Sequence, residues 1–178
     1  MAFIDKYVKS VNSSDLRDDQ FHHTTDALAA SAMADTHGIG ALLARVKYTN
    51  GVPRKEFESG SANLAQLIRI WGMIVAEKGR SRGWVRTNTA WDMHAAHTLY
   101  RRVAEKSLMH WLDGRCVDCN GVGIHLSQYK CQTCNGSGKS EIECGGFERE
   151  KILDMINELE SMVLSYNARA ATLLRKVA

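Results

Sequence analysis

Proline is nearly absent, with Pro53 alone, so few points along the chain force a helix to break. Glycines gather at the joints between segments, and the two features together favour long helices over many short strands. Long hydrophobic runs are missing too. None approaches the roughly 18 residues of a membrane span, and the opening MAFIDKYVKS lacks the apolar centre of a secretory leader. The expectation is a cytoplasmic protein with no membrane partner. There the pool of reduced thiols argues against disulfides, and paired cysteines read first as metal ligands. With 178 residues the chain buries roughly 70% of its unfolded surface, so it folds without disulfides, as one domain or as one domain with a small insert.

A strong net charge is also lacking. The balance of +3 is too small to announce nucleic-acid binding, but its distribution is uneven. Between Arg69 and Arg115 nine Lys or Arg face four Asp or Glu. From Glu141 to Glu160 the sign reverses, with Glu141, Glu143, Glu148, Glu150, Asp154, Glu158 and Glu160 against Arg149 and Lys151. A basic middle beside an acidic later segment suits a protein that meets a polyanion with one face and a basic protein with another. Solvated helix faces give the same pattern.

What is present is helical patterning. A stripe of Phe3, Ile4, Tyr7, Val8 and Val11 followed by the polar SSDLRDDQ reads as an N-terminal arm or short helix over 1–23. Small residues from Thr25 to Val46 suit a closely packed helix, broken near Gly38 and Gly40. Turn chemistry follows around Asn50, Gly51 and Pro53. Leu64, Leu67, Ile68, Trp71, Ile74 and Val75 mark a helix from Ser61, as N-cap, to Lys78, with Gly79 as C-cap. Thr89 with Asp92 caps a further helix reaching about Leu112. Its expected inner stripe is Trp91, Ala95, Leu99 and Val103, with His94, His97 and Arg101 on another face. Ile152, Met155, Ile156, Leu159, Val163, Tyr166, Ala170 and Leu173 recur through Phe147–Lys176, which reads as one long helix or two stacked ones. The fold class is therefore mainly α. A helical body at 24–112 carries a small zinc-binding knuckle at 113–140, and a C-terminal helix at 141–178 packs back on the body.

The chemistry lies in CVDCNGVGIHLSQYKCQTCNGSG, where Cys116, Cys119, Cys131 and Cys134 form C-x2-C-x11-C-x2-C. Two intervening residues let a turn aim both sulfurs at one point, so each pair is half of a tetrahedral site. Gly121, Gly123, Gly136 and Gly138 follow where the chain must turn back with positive φ, and Asn120 and Asn135 tolerate left-handed geometry. Four thiolates leave no position for water or substrate, so one zinc ion with a structural role is expected. His125 is a substitute ligand by position, and Cys144 stands outside both pairs. A Cys144 nucleophile with His94 or His97 has no local motif behind it. The histidine pair itself, lacking a matching partner pair, reads as surface residues.

Two families share C-x-x-C-x-G-x-G. The zinc region of DnaJ-type co-chaperones carries four copies beside a J domain, whereas this chain has two copies and no His-Pro-Asp tripeptide. CVDCNGVG and CQTCNGSG, set after a helical domain and before a last helix, resemble the zinc segment of the Q late-gene antitermination proteins of lambdoid phages. TTDALAASAMADTHGIGALLARVKY, LAQLIRIWGMIVAEKGRSRGW and NELESMVLSYNARAATLLRKV are similar to that family's other helices, so the resemblance covers about residues 24 to 176. One departure stands out. Only KSEIECGGFERE lies between the second cysteine pair and the last helix, where that family carries a longer DNA-contacting segment.

The resemblance implies a non-enzymatic factor in the cytoplasm of a bacterial host. It would bind late-promoter double-stranded DNA, engage host RNA polymerase, with or without a sigma factor, and carry it through pauses and terminators. Arg101, Arg102, Lys106, Arg115, Lys130 and Lys139, on or beside the knuckle, are then the first candidates for DNA contacts. Arg80, Arg82 and Arg86 around Trp84 form a second rank. The alternative is a zinc-stabilised, DnaJ-like polypeptide-binding module.

Overall fold

A computed structural model of the chain describes residues 3–13, 24–35, 39–48, 62–86, 88–124 and 129–177. Among them lie six helices and no strand: α1 (Phe3–Val11), α2 (Thr24–Ala34), α3 (Gly40–Tyr48), α4 (Ala62–Ser81), α5 (Ala90–Asp113) and α6 (Gly146–Val177). The fold is mainly helical, as the scarcity of proline implies. The cysteine segment sits between α5 and α6, with two isolated β-bridges in place of a sheet. No described helix is long and apolar enough to cross a membrane.

The chain forms two compact units, Met1–Leu67 with Glu160–Ala178, and Ile68–Leu159. The division passes within α4 and α6. In the first unit, α1 contributes Phe3 and Tyr7 to a core with Ala27, Ala30, Ala34, Ala44, Tyr166, Ala170 and Leu174. The small residues matter because they let helices approach closely around one large ring. A Cβ on Gly40 would lie 2.9 Å from Tyr166 ring atoms. Tyr166 is fully buried, its hydroxyl hydrogen-bonded to Ser31 Oγ, and Phe3 meets its ring edge at 6.1 Å. Burial pushes the Tyr166 phenol up to about 12, against the opposing effect of the Ser31 hydrogen bond. The break after α2 has a polar cause. The Asp35 carboxylate accepts from the N–H groups of Gly40 (3.0 Å) and Ala41 (3.2 Å), satisfying donors that the first turn of α3 would leave orphaned.

The second unit holds the lower part of α4, all of α5, the cysteine segment and the first half of α6. Trp71 and Ser107 are buried, and Trp71 Nε1 donates to Ser107 Oγ (3.0 Å), which donates to the Ala104 carbonyl (3.1 Å). α5 begins with the expected capping box: Asp92 N–H donates to Thr89 Oγ1, and Thr89 N–H to Asp92 Oδ2. α6 is held by ion pairs from its neighbours. Glu158 meets Lys78 (2.8 Å) and Arg82 (2.6 Å), Asp154 meets Arg82, and Glu148 meets Arg102 (3.2 Å) and Lys106 (3.3 Å). These cations hold the Glu158 carboxyl below its ordinary range, Lys78 contributing most.

Three local expectations are corrected. Gly79 does not cap α4. The helix runs to Ser81, and the cap is Gly83 with φ +62°, where Trp84 N–H reaches Gly79 O (3.0 Å) and Gly83 N–H reaches Arg80 O (3.1 Å), a Schellman closure. The inner stripe of α5 holds at Leu99 and Val103 but not at its start: Ala96, Leu99, Tyr100, Val103, Ala104, Ser107, Leu108, Trp111 and Leu112 are buried, whereas Trp91 and Ala95 are exposed. On α6 the stripe ends at Leu174 rather than Leu173. Ser61, Gly38, the turn around Pro53 and His125 lie outside the described residues.

Candidate metal centre

Cys116, Cys119, Cys131 and Cys134 are all buried and form one cluster. Their four sulfurs lie within 4.8 Å of one another, with Cys116 and Cys131 at 4.0 Å and Cys119 and Cys134 at 3.7 Å. A tetrahedral zinc with Zn–S bonds of about 2.3 Å sets its sulfurs roughly 3.8 Å apart. The donor set and spacing fit a divalent ion of that preference, and the four thiols can hold a metal.

The two halves repeat each other at an offset of fifteen residues, and their contacts are reciprocal. Cys116 N–H donates to Gly138 O (2.8 Å) while Cys131 N–H donates to Gly123 O (2.9 Å). The bridges Arg115 with Lys139 and Ile124 with Lys130 exchange under the same offset. So do the sulfur hydrogen bonds, from Gly123 N–H to Cys119 Sγ (3.2 Å) and from Gly138 N–H to Cys134 Sγ (3.3 Å). On the dividing line Thr133 hydrogen-bonds Asp118, and these positions are themselves partners under the offset. An approximate two-fold therefore runs through the sulfur cluster.

The turn chemistry read from sequence is realised in detail. Asn120 and Asn135 have φ of 49° and 51°, and Gly121, Gly123, Gly136 and Gly138 all have positive φ. Gly123 and Gly138 are required for a second reason. A Cβ there would sit 2.5 Å from Gly136 O and 2.3 Å from Gly121 O respectively, both backbone atoms of the opposite half.

Electrostatically two of the sulfurs are pulled in opposite directions. Burial disfavours the Cys134 thiolate, but the Gly138 and Gly136 N–H groups and the Cys119 and Cys131 side chains outweigh it and bring the thiol down to about 6. At Cys116 the Cys119 N–H favours the thiolate, yet burial and the neighbouring thiols prevail and push it up to about 11. Metal ligation requires the thiolate form and releases the protons.

The candidate cations divide sharply. Arg101 pairs with Glu105 one turn on (2.8 Å), Arg115 with Asp113 (3.3 Å), and Arg102 and Lys106 hold Glu148. Arg82 is spent on Asp154 and Glu158. Lys139 is exposed and sits at the bridge to Arg115. Arg80, Arg86 and Lys130 are exposed and make no ion pair among the described residues. Much of the acidic stretch is spent in the same way: Glu148, Asp154 and Glu158 take the cations of α4, α5 and the turn after α4, and Glu141 pairs with Arg149 (3.2 Å). His94 and His97 are exposed, and Cys144 is half-buried outside the sulfur cluster.

Two groups of exposed residues escaped the sequence reading. On the knuckle, Val117, Val122 and Ile124 are 77%, 68% and 50% exposed, with Tyr129 beside them in sequence at 76%. Under the fifteen-residue offset the first three correspond to Gln132, Ser137 and Lys139, so one half of a near-symmetric knuckle is apolar and the other polar. That contrast was available by laying the two repeats over each other. The second group centres on Trp91, whose place in a helical stripe masked its exposure. No protein family, curated protein or solved structure matches the chain.

Proposed function

We propose that the protein is a transcription antitermination factor of the lambdoid Q kind, which binds late-promoter DNA and engages host RNA polymerase, with one structural zinc and no enzymatic role. What supports the reading is the pair of C-x-x-C-N-G-x-G halves meeting in one buried four-sulfur cluster between α5 and α6, the order the resemblance implies. The zinc fixes a projection beside α5, and the exposed cations that make no ion pair among the described residues, Lys130 on the projection with Arg80 and Arg86 before α5, are the groups offered to DNA phosphates. Affinity for promoter DNA then falls steeply with salt, because each phosphate contact releases counterions.

The deciding experiment is transcription in a purified system from a phage late promoter through a terminator, with and without the protein. Read-through that requires the promoter DNA supports the proposal. Unchanged termination in the presence of the zinc-loaded protein overturns it.

One observation favours a second reading. The apolar half of the knuckle, Val117, Val122 and Ile124, is the kind of exposed patch that marks a polypeptide contact. A DnaJ-like module predicts retention of an unfolded client protein on the knuckle, lost in Val122→Ser and indifferent to DNA.

A further inference from the structure

Trp91 is 84% exposed, the most exposed of the large hydrophobic side chains among the described residues, and Met93 beside it is 58% exposed. Trp71 and Trp111 are buried, and Trp84 packs against Tyr100 with ring centroids 6.0 Å apart. The exposure is not that of a frayed end. The capping box at Thr89 and Asp92 fixes the turn on which Trp91 stands, and the Schellman closure at Gly83 fixes the end of α4 before it. A rigid backbone thus presents an indole to solvent, although tryptophan is a residue whose area normally goes into a core or an interface.

Along the chain around it, arginines outnumber acids. From Arg80 to Arg101 the chain holds four arginines and a single acid, Asp92, whose carboxylate accepts the Thr89 N–H. Arg82 and Arg101 are paired, while Arg80 and Arg86 are exposed and make no ion pair among the described residues. Glu77, one turn before Arg80 on α4, is the nearest further acid in sequence. Gly79 lies against the Tyr100 ring, and from Tyr100 back to Trp91 the helix rises about 13 Å at 1.5 Å per residue. Arg86 precedes Trp91 by five residues, at most about 18 Å of chain, so the two exposed arginines and the indole fall within a length that a short strand covers, within the roughly 4–16 nucleotides of known single-strand sites.

We infer that Arg80, Arg86 and Trp91 form a binding site for single-stranded nucleic acid, an unpaired base stacking on Trp91 and phosphates lying on the two arginines. Cations that track a backbone beside an aromatic on which bases stack are what such strands require. A duplex offers no free base face without unstacking, which costs a few kcal/mol. The site is separate from the sulfur cluster and does not depend on the antitermination reading.

The test uses the full, zinc-loaded chain with oligothymidylate and oligouridylate of about twelve nucleotides, and a duplex of the same length. Binding of either single strand quenches the tryptophan emission. Trp91→Ala abolishes the quench and weakens binding about tenfold, and Trp91→Phe restores most of the affinity, since stacking on one aromatic is worth that much. Arg80→Ala with Arg86→Ala lowers the slope of log affinity against log salt by about 1.4, two phosphates at roughly 0.7 each. A preference between the two strands tells RNA from DNA. The inference is overturned if neither strand binds, if Trp91→Ala binds like the wild type, or if the duplex binds as tightly with the same quench.

Discussion

Gly138 carries two demands at one residue. Its φ is +70°, and a Cβ there would meet the Gly121 carbonyl oxygen at 2.3 Å and its carbon at 3.0 Å. Backbone of the opposite half cannot rotate away as a side chain can, so the two halves must separate. Gly136 has the same left-handed φ of +82°, but its Cβ would meet the Lys130 side chain, which can swing into solvent. Gly145 has nothing within 4 Å. A graded series follows. Gly138→Ala weakens zinc binding by about 2 kcal/mol or more, roughly thirtyfold, Gly136→Ala by about 1 kcal/mol, and Gly145→Ala leaves it unchanged. Competition with a chromophoric chelator measures all three. Equal effects at 138 and 145 would mean that the two halves do not close on each other.

Among the elements, the connection from α4 to α5 shows where local patterning is legible and where it is not. Sequence places Gly79 as the cap of α4, and the structure gives that role to Gly83 while Gly79 admits the Tyr100 ring, to which a Cβ would approach at 2.4 Å. Gly79→Ala therefore destabilises the second unit by overpacking, about 2 kcal/mol. Gly83→Ala, with φ +62° but open space around it, costs about 1 kcal/mol for the left-handed backbone alone. Denaturant midpoints at constant slope give the order, and the reverse order would restore Gly79 as the cap. The Thr89 capping box and the α6 stripe from Ile152 to Ala170 were legible because their causes are local: a side chain reaching its own helix end, and a repeating apolar face. Gly79 was misread because its reason is a ring from another helix. Trp91 was misread because the helical period continues into turns that nothing covers. The cysteine cluster was the most legible feature, since each C-x-x-C-N-G-x-G writes its own turn. That one half exposes valines where the other exposes polar groups follows only from comparing the repeats.

For the molecule as a whole, the metal decides where attraction for a polyanion resides. Residues 113–140 carry Arg115, Lys130 and Lys139 against Asp113 and Asp118, an excess of one positive charge while the thiols are protonated. A dication such as zinc with four thiolates adds two negative charges, so the loaded knuckle carries no positive excess. On the proposed function, its cations first compensate the metal cluster, and long-range pull on DNA comes from outside it, where Arg80 and Arg86 make no ion pair among the described residues. Metal binding energy is folding energy for such a segment, and no ligand lies within a helix. Removing zinc with a strong chelator, or by Cys119→Ser, therefore disorders the knuckle and leaves most of the helical circular dichroism. If the proposed function holds, promoter-specific protection of DNA is lost with it. Salt-dependent binding to unrelated DNA then persists, because Arg80 on α4 and Arg86 beyond its end need no metal. Footprinting beside a filter-binding salt titration separates the two. If both forms of binding vanished together on chelation, the DNA contacts would belong to the knuckle alone, and the arginines before Trp91 would have no part in them.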